Sequence, residues 1–225
     1  MFRAQDFFNL DQEPLAFLFE NTDKVWDVLR DLEELIKDLV KPEIHGNIHE
    51  SAYLEGPVYL GPGSVIGPHA YIKGPVYIGA NSEVRHGAYI RPNSIIGDHC
   101  IVGHATELKS SILLSHAQAP HFAYVGDSVL GRGVNLGAGT KLANFKLGAN
   151  EVQLLYQGER ISTGLRKFGA ILGDGVSIGC NAVTAPGTVV GKNTWIYSSV
   201  SLRGYIGPEK IVKYDYSTVQ IVDKV

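Results

Sequence analysis

The side chains best suited to chemistry lie in the segment 91–144, which contains four of the eight histidines of the chain. An imidazole has an ordinary pKa of about 6.5, so it can act as a general base near neutral pH or as a zinc ligand. His116 and His121 stand with four residues between them, in the sequence HAQAPH. A catalytic zinc needs a third protein ligand and an open position for water, whereas a general base needs a substrate within reach. Both chemistries depend on the fold that presents these side chains.

A six-residue repeat predicts that fold. Every sixth residue from Ile48 is aliphatic, and glycine often follows it. An α-helix repeats every 3.6 residues and a strand every two, so neither explains the spacing. Hexapeptide repeats are typical of a parallel β-helix, in which three short strands form a triangular coil of about eighteen residues. The aliphatic positions are Ile48, Leu54, Leu60, Ile66, Ile72, Ile78, Val84, Ile90, Ile96, Val102, Leu108 and Leu114.

The repeat continues towards the C-terminus with one predicted slip of phase, between Val125 and Leu130. Each aliphatic residue should point into the prism, while Gly, Asn and Asp form the corners because they tolerate positive φ. Successive coils should stack about 4.8 Å apart and align the inward side chains in ladders. We therefore predict an all-β fold, a single-stranded parallel β-helix over residues 44–205. The later inward positions are Leu130, Leu136, Leu142, Leu172, Ile178, Thr184, Val190, Ile196 and Leu202.

Three segments depart from the repeat. In residues 1–43, Asn21 or Thr22 is expected to cap an amphipathic helix, and we predict an N-terminal α-helical cap that closes the open end of the prism. A docking surface for a further domain is the alternative for this segment. The insertion 145–169 alternates weakly and then turns, as a protruding hairpin would, and residues 206–225 are expected to form a C-terminal tail. The apolar residues of the helix are Val25, Leu29, Leu32, Ile36 and Leu39.

The composition restricts the classes of function that the chain could have. Its formal net charge is −3 and its pI about 6.2, so nothing indicates binding to nucleic acid or to an anionic membrane. The sequence contains neither a signal peptide nor an apolar run of membrane-spanning length. The cysteines Cys100 and Cys180 stand far apart and are expected to be free thiols. We predict a cytoplasmic protein without nucleic-acid or membrane partners.

Two motifs in the segment 91–144 resemble those of a known family. They read HFAYVGD at residues 121–127 and VNLGAGT at residues 134–140. They are similar to the HxxYxGD and VNxGAGT motifs in the acetyltransferase half of the bifunctional N-acetylglucosamine-1-phosphate uridyltransferase/glucosamine-1-phosphate acetyltransferase. The resemblance covers about residues 53–205. It implies a left-handed, hexapeptide-repeat β-helix that forms a homotrimer with its sites between neighbouring subunits.

The resemblance also implies a mechanism and a set of site residues. His121 would be the general base that removes a proton from the sugar amine as the amine attacks the thioester of acetyl-CoA. Acetyl-CoA is the expected co-substrate, and no tightly bound cofactor or metal is expected. The implied substrate-binding residues are the cations Arg91, Lys109 and Lys167 for the sugar phosphate, Tyr124 and Asn135 for the sugar ring, and Asn144 beside the amine. The implied residues of the coenzyme groove are Ala138, Cys180 and Ser198.

The chain departs from this family in three ways. Phe145 stands where the family has an aromatic residue with a hydroxyl group. The insertion separates Asn144 from Lys167 further than in the family, which weakens the assignment of Lys167. The nucleotidyltransferase half of the resembled enzyme has no counterpart in the sequence. We therefore expect that the chain does not form a UDP-sugar by itself, and a separate nucleotidyltransferase is a candidate partner alongside the amino-sugar phosphate substrate.

Two other interpretations remain open. A non-catalytic trimeric scaffold or regulatory partner of a sugar nucleotidyltransferase would explain Phe145 and the insertion. A zinc lyase resembling the γ-class carbonic anhydrases would use His116 and His121. That family's third histidine falls on Ala80, however, and the nearest histidine, His86, lies a hexapeptide away. The histidines expected to be ordinary surface residues are His45, His49, His69, His86, His99, His104 and His116.

Overall fold

The computed structural model describes residues 1–148 and 150–215 and shows a β-helix with three faces. The strands of each face are parallel and pair in register with the coil below and the coil above. The predicted fold class, a parallel β-helix built from hexapeptide repeats, is confirmed. We call the faces I, II and III in the order in which the chain visits them, and name each corner by the two faces that it joins.

The strands are short, and most contain two or three residues. Face I contains β1 Asn47–Ile48, β4 Val65–Ile66, β7 Glu83–Val84, β10 Ile101–His104, β13 Gln118–His121, β16 Asn135–Leu136, β21 Ser177–Ile178, β24 Trp195–Ile196 and β27 Ile211–Val212. Face II contains β2 Tyr53–Glu55, β5 Tyr71–Lys73, β8 Tyr89–Ile90, β11 Glu107–Lys109, β14 Tyr124–Gly126, β17 Lys141–Leu142, β22 Val183–Thr184 and β25 Ser201–Leu202. Face III contains β3 Val58–Leu60, β6 Val76–Ile78, β9 Ser94–Ile96, β12 Ile112–Leu113, β15 Val129–Leu130, β20 Ala170–Leu172, β23 Thr188–Val190 and β26 Tyr205–Ile206.

The inward side chains follow the predicted positions until β12. There the inward residue is Leu113, which pairs in register with Ile96 on one side and Leu130 on the other. The prediction for Leu114 was wrong, because the turn before face III is one residue shorter in this coil as well as in the next. The phase therefore slips twice rather than once. The side chain of Leu114 instead joins an apolar cluster outside the prism.

The N-terminal segment is helical but begins its long helix later than predicted. It contains α1 Ala4–Phe7, two 3-10 helices and α2 Val28–Leu39. Neither Asn21 nor Thr22 caps α2, since the Thr22 hydroxyl donates to the Phe19 carbonyl at 2.9 Å and closes an earlier turn. The two 3-10 helices are Leu10–Gln12 and Ala16–Phe19.

This segment covers the outer side of face III and does not close the end of the prism. Helix α2 buries Val28, Leu32 and Ile36 in one apolar cluster with face III. At the open end, Ile48 remains 37% exposed. The predicted end cap is therefore wrong: face III presents a continuous outward stripe of aliphatic residues, and the apolar side of the segment covers that stripe. The stripe consists of Ile95, Ile112, Val129, Ile171 and Val189.

A buried carboxylate anchors the N-terminal segment to the III/I corner. Glu13 is only 5% exposed, and it accepts hydrogen bonds from the Ser115 amide at 3.1 Å and the Ser115 hydroxyl at 3.0 Å. Asp174 accepts from the Asn9 amide at 2.7 Å and from the Arg132 amide at 2.8 Å. These bonds satisfy buried polar groups on both sides of the contact and fix the position of the segment along the coils.

The insertion contains an antiparallel hairpin of β18 Gln153–Tyr156 and β19 Glu159–Ser162. Val152 and Leu154 are fully buried in the cluster that covers face III, so the hairpin packs against the molecule. The coil also extends beyond the predicted boundary at residue 205, because β26 and β27 continue faces III and I. The predicted C-terminal tail therefore begins too early, and its last residues, 216–225, lie outside the described part of the chain.

Candidate functional site

The I/II corner places four of the predicted site residues in a single column. Each lies two residues after the inward position of a face I strand, and the strands that carry them are stacked in register. The general-base candidate thus shares one edge of the prism with the three predicted coenzyme residues. Coil by coil, the column reads His121, Ala138, Cys180 and Ser198, and the carbonyls of the first three accept from the amides of Gly139, Asn181 and Ser199 at 3.0, 2.8 and 2.8 Å.

The backbone at His121 is held firmly while its side chain is exposed. His121 ends β13, and a Cβ atom at Gly103 in the coil below would lie only 1.6 Å from the Pro120 carbonyl oxygen. The two coils can therefore stack here only because residue 103 has no side chain. Within the described residues, the imidazole of His121 makes no hydrogen bond. Its ring nitrogens are consequently open to a substrate or to a neighbouring subunit.

Two other histidines and a phenylalanine line the same corner next to His121. The rings of His86 and His104 stack with their centroids 4.0 Å apart, and Phe122 contacts His104 edge-on at 5.1 Å. The Nδ1 atom of His104 lies 3.0 Å from the carbonyl oxygen of His86. Phe122 is 56% exposed. These residues therefore give the column an aromatic flank, although His86 and His104 were predicted to be ordinary surface residues.

A polar network on face II connects three predicted substrate residues through a carboxylate that the prediction omitted. The Nζ atom of Lys109 lies 2.8 and 2.9 Å from the two carboxylate oxygens of Asp127. The amide nitrogen of Asn144 donates to Asp127 and, at 3.2 Å, to the hydroxyl of Tyr124. Burial raises the pKa of Tyr124, so the phenol is the stable form. Asp127 is the last residue of the HxxYxGD motif, so the motif itself could have identified it as a site residue.

Gly126 leaves the space in which this network forms. A Cβ atom at this position would lie 2.6 Å from the Asn144 amide nitrogen and 2.7 Å from the Tyr124 hydroxyl. Both distances are far below a normal contact, so a side chain at residue 126 would push these groups apart. The glycine of the motif is thus required for the geometry of its neighbours and not for its own backbone conformation.

Two of the three cations predicted to hold the sugar phosphate, Arg91 and Lys109, are already paired. Arg91 donates to Glu107 at 2.8 Å, and this hydrogen bond raises the pKa of the guanidinium. Lys109 is paired with Asp127, and the side chains of this second pair are only 16% and 13% exposed. A phosphate at this position would have to compete with two carboxylates. Glu107, like Asp127, was absent from the predicted site.

Within the described residues, the side chains of the remaining two predicted residues, Asn135 and Lys167, make no hydrogen bond to the network. Asn135 is exposed on face I, in β16. Lys167 is exposed at the end of the insertion, where it bridges to Phe145. The Phe168 amide donates to the Asn144 carbonyl at 2.9 Å, so the chain returns from the insertion to the point where it left. Lys167 therefore lies beside Asn144 in space although the sequence separates them.

The zinc interpretation finds no ligand set among the residues that the structure describes. His116 lies at the III/I corner, at the opposite end of β13 from His121, and its ring stacks on His99 at 4.8 Å. Burial, together with Arg132 and His99, lowers the pKa of His116. Across residues 1–148 and 150–215, the His, Cys, Asp and Glu side chains form no group of three that could hold a metal ion.

The family comparison agrees with the motifs and the fold. A profile of the family described as the GMPPB C-terminal domain matches residues 72–222, which is two thirds of the chain. The chain belongs to this family. Within the described residues of this GMPPB C-terminal domain family member, no helix is long and apolar enough to cross a membrane.

Relatives with similar sequences are bifunctional proteins. The chain is 35% identical over 201 residues to the bifunctional protein GlmU of Methanococcus aeolicus, covering 89% of this chain and 48% of that protein. It is 39% identical over 103 residues to a bifunctional sugar-1-phosphate nucleotidylyltransferase/acetyltransferase of Sulfurisphaera tokodaii, covering 46% of this chain and 26% of that protein. The chain thus spans less than half of each relative, and the resemblance inferred from the motifs is confirmed.

A solved structure also aligns with this member of the GMPPB C-terminal domain family. It is a UDP-N-acetylglucosamine acyltransferase from Campylobacter jejuni, with 19% sequence identity and a TM-score of 0.44. The alignment covers 73% of this chain and 70% of that one.

Proposed function

We propose that the chain is an acetyl-CoA-dependent N-acetyltransferase that acts on the amine of an amino-sugar phosphate, with glucosamine-1-phosphate as the first candidate. The main support for this proposal is the column of His121, Ala138, Cys180 and Ser198. Along one edge of the prism, it places an imidazole that has no hydrogen-bond partner among the described residues in line with the three predicted coenzyme residues. The name of the Sulfurisphaera tokodaii relative, a bifunctional sugar-1-phosphate nucleotidylyltransferase/acetyltransferase, supports acetyl transfer in nucleotide-sugar synthesis. A cytoplasmic location is part of the proposal.

His121 would act as the general base. The amine nitrogen attacks the thioester carbonyl, the new N–C bond forms, and the C–S bond breaks. His121 accepts the proton that the nitrogen loses, and the departing thiolate takes up a proton to give free coenzyme A. Tyr124 and Asn144 would orient the sugar, so that proximity of the two substrates supplies much of the acceleration. No step requires a covalent intermediate with the protein.

The site would be completed between subunits of a homotrimer. Next to Ser198 at the end of the column, face I exposes large apolar side chains: Trp195 at 56%, its register partner Ile211 at 58%, and Tyr197 at 43%. Exposed apolar patches of this kind are typical of subunit contacts. Light scattering coupled to gel filtration should therefore give three times the mass of 24.4 kDa. A monomer would contradict the inter-subunit site.

A second candidate is a non-catalytic partner of a sugar nucleotidyltransferase. The observation that favours it is the pairing of Arg91 with Glu107 and of Lys109 with Asp127, since neither cation is free to meet a phosphate. Phe145, which lacks the hydroxyl group of the resembled enzymes, also favours it.

The release of coenzyme A thiol distinguishes the two candidates. The purified protein is mixed with acetyl-CoA and glucosamine-1-phosphate, and His121→Ala and His45→Ala are assayed in parallel. Turnover that falls by two or more orders of magnitude only in His121→Ala supports both the reaction and the base. Turnover that survives His121→Ala overturns the role of His121. Absence of turnover with this and other amino-sugar phosphates favours the non-catalytic partner.

A further inference from the structure

A cavity of about 340 Å³ lies between the hairpin of the insertion and the II/III corner of the last coils. The hairpin forms one wall, and the turns after β22 and β25 form the other. This cavity is separate from the I/II column, which lies at the other edge of face II. Its lining residues are Lys146, Gln153, Leu155, Arg160, Ala185, Pro186, Arg203 and Gly204.

Three cations from distant parts of the chain meet in this cavity. Lys146 follows β17, Arg160 lies in β19, and Arg203 follows β25. Among the described residues, no carboxylate lines the cavity. Within residues 1–148 and 150–215, none of the three side chains forms an ion pair or a hydrogen bond. They differ in this respect from Arg91 and Lys109, each of which is neutralised by a carboxylate.

The pairing of the hairpin explains why its cation faces the cavity. Leu155 pairs with Arg160 across the two strands, so their side chains lie on the same face, and Gln153 is on that face as well. Leu154 points the other way and is fully buried. The opposite wall is equally constrained, because a Cβ atom at Gly204 would lie 2.9 Å from the Leu155 carbonyl oxygen. Tight packing thus fixes the distance between the two walls.

We propose that this cavity binds the phosphate group of a small phosphorylated metabolite. Uncompensated cations that converge in a concave site favour an anion, and two guanidinium groups match the geometry of phosphate oxygens. Leu155 and Pro186 offer an apolar surface for the body of the ligand, and the Gln153 amide can bind a hydroxyl group. The volume suits a sugar phosphate or a nucleotide. The cavity lies outside the I/II column, and none of its lining residues is among those proposed for acetyl transfer.

Isothermal titration calorimetry on the full chain at low salt tests the proposal directly. The three probes are inorganic pyrophosphate, glucose-1-phosphate and ADP. The double variant Arg160→Gln/Arg203→Gln is compared with Lys37→Gln/Lys41→Gln, which removes the same charge from the exposed surface of the N-terminal segment. We expect saturable binding with one site per chain. The cavity variant should lose roughly tenfold or more in affinity, and the control variant less than about twofold.

The comparison among probes identifies the source of the phosphate. Tighter binding of glucose-1-phosphate than of pyrophosphate supports a sugar phosphate, tighter binding of ADP supports a nucleotide, and equal binding supports recognition of phosphate alone. Equal losses in both double variants would show unspecific attraction and overturn the proposal. Non-saturable heats with all three probes would overturn it as well. Circular dichroism confirms that the variants are folded, and none of these readouts depends on turnover.

Discussion

Lys109 and Asp127 form a two-pronged ion pair between successive coils, with Nζ–O distances of 2.8 and 2.9 Å. The two residues lie at the II/III corner of neighbouring coils, and the same carboxylate also accepts from Asn144. Because both side chains are largely buried, each charge depends on the other for compensation. The pair therefore holds Asn144 in place while it occupies the cation that a phosphate would need.

A double-mutant cycle measures the strength of this pair. Lys109→Met and Asp127→Asn should each lower the free energy of unfolding by about 1–3 kcal/mol, because each leaves a largely buried charged partner without compensation. The double variant should be more stable than additivity predicts, by a coupling energy of about 1–2 kcal/mol. Urea unfolding at one fixed protein concentration gives all four values. Simple additivity would mean that the pair contributes nothing to stability.

Gly126→Ala should impair the polar network without unfolding the coil. The added methyl group meets the Asn144 amide and the Tyr124 hydroxyl, which are side-chain atoms that can move. We expect a stability loss of about 1–2 kcal/mol and a clear increase in KM for the amino-sugar phosphate. Gly133→Ala is the control, since its φ of +67° should give the added side chain a comparable cost of about 1–2 kcal/mol, while the methyl group meets nothing within 4 Å. Equal kinetic effects in both variants would argue against a substrate role for the network.

The two cysteines should differ sharply in their reactivity. Burial raises the pKa of the Cys100 thiol to about 12, whereas Cys180 is exposed in the I/II column. One thiol should therefore react with a maleimide in the native protein, and Cys180→Ser should abolish that reaction. Saturating acetyl-CoA should slow the labelling several-fold if the column forms the coenzyme groove. A labelling rate that acetyl-CoA leaves unchanged would contradict the placement of the coenzyme.

Glu13 should be essential for docking the N-terminal segment. Glu13→Ala leaves the amide and the hydroxyl of Ser115 without their acceptor, and it should lower the free energy of unfolding by about 1–3 kcal/mol. Asp11→Ala, at an exposed position in the same segment, should change stability by less than about 0.5 kcal/mol. Limited proteolysis should release the segment more readily in Glu13→Ala. A stable Glu13→Ala variant with normal protease resistance would exclude this anchor.

Stability should fall modestly as the pH is lowered below about 6.5, the ordinary pKa of histidine. Burial and the nearby Arg132 and His99 lower the pKa of His116 in the folded state. The unfolded chain therefore binds a proton first, so stability is lost as the pH falls from 6.5 through the lower folded pKa. Urea midpoints at pH 7.5, 6.5 and 5.5 should show a smaller pH dependence in His116→Asn, since asparagine tolerates the φ of +65° at this position. An unchanged pH dependence would assign the effect to other groups.

The sequence was sufficient to predict the architecture because every coil of the β-helix has the same local packing requirement. Each hexapeptide needs one inward aliphatic side chain, so a period of six residues identifies the ladder from Leu60 to Val102 without knowledge of any distant contact. The HxxYxGD motif likewise predicted that Tyr124 belongs to a site. It also contained Asp127, which follows Gly126, the register partner of Lys109 in the next coil, and so lies within reach of the lysine.

The position of the N-terminal segment could not be read from its amphipathic pattern. The spacing of Val28, Leu32 and Ile36 indicates that one face of the helix is buried, but it does not indicate which part of the protein packs against that face. In the same way, Leu113 and Leu114 are both aliphatic, and only the hydrogen-bond register with the neighbouring coils selects Leu113 as the inward residue.

The sequence by itself determined the repeating coil, its inward ladder and the motifs at its corners, because these depend on neighbours within one or two coils. The tertiary structure alone decided that face III is the covered face and that the insertion returns to Asn144. It alone brought Arg160 and Arg203 to the same cavity. These arrangements depend on which apolar surfaces cover one another most completely, and that free energy belongs to the whole folded chain.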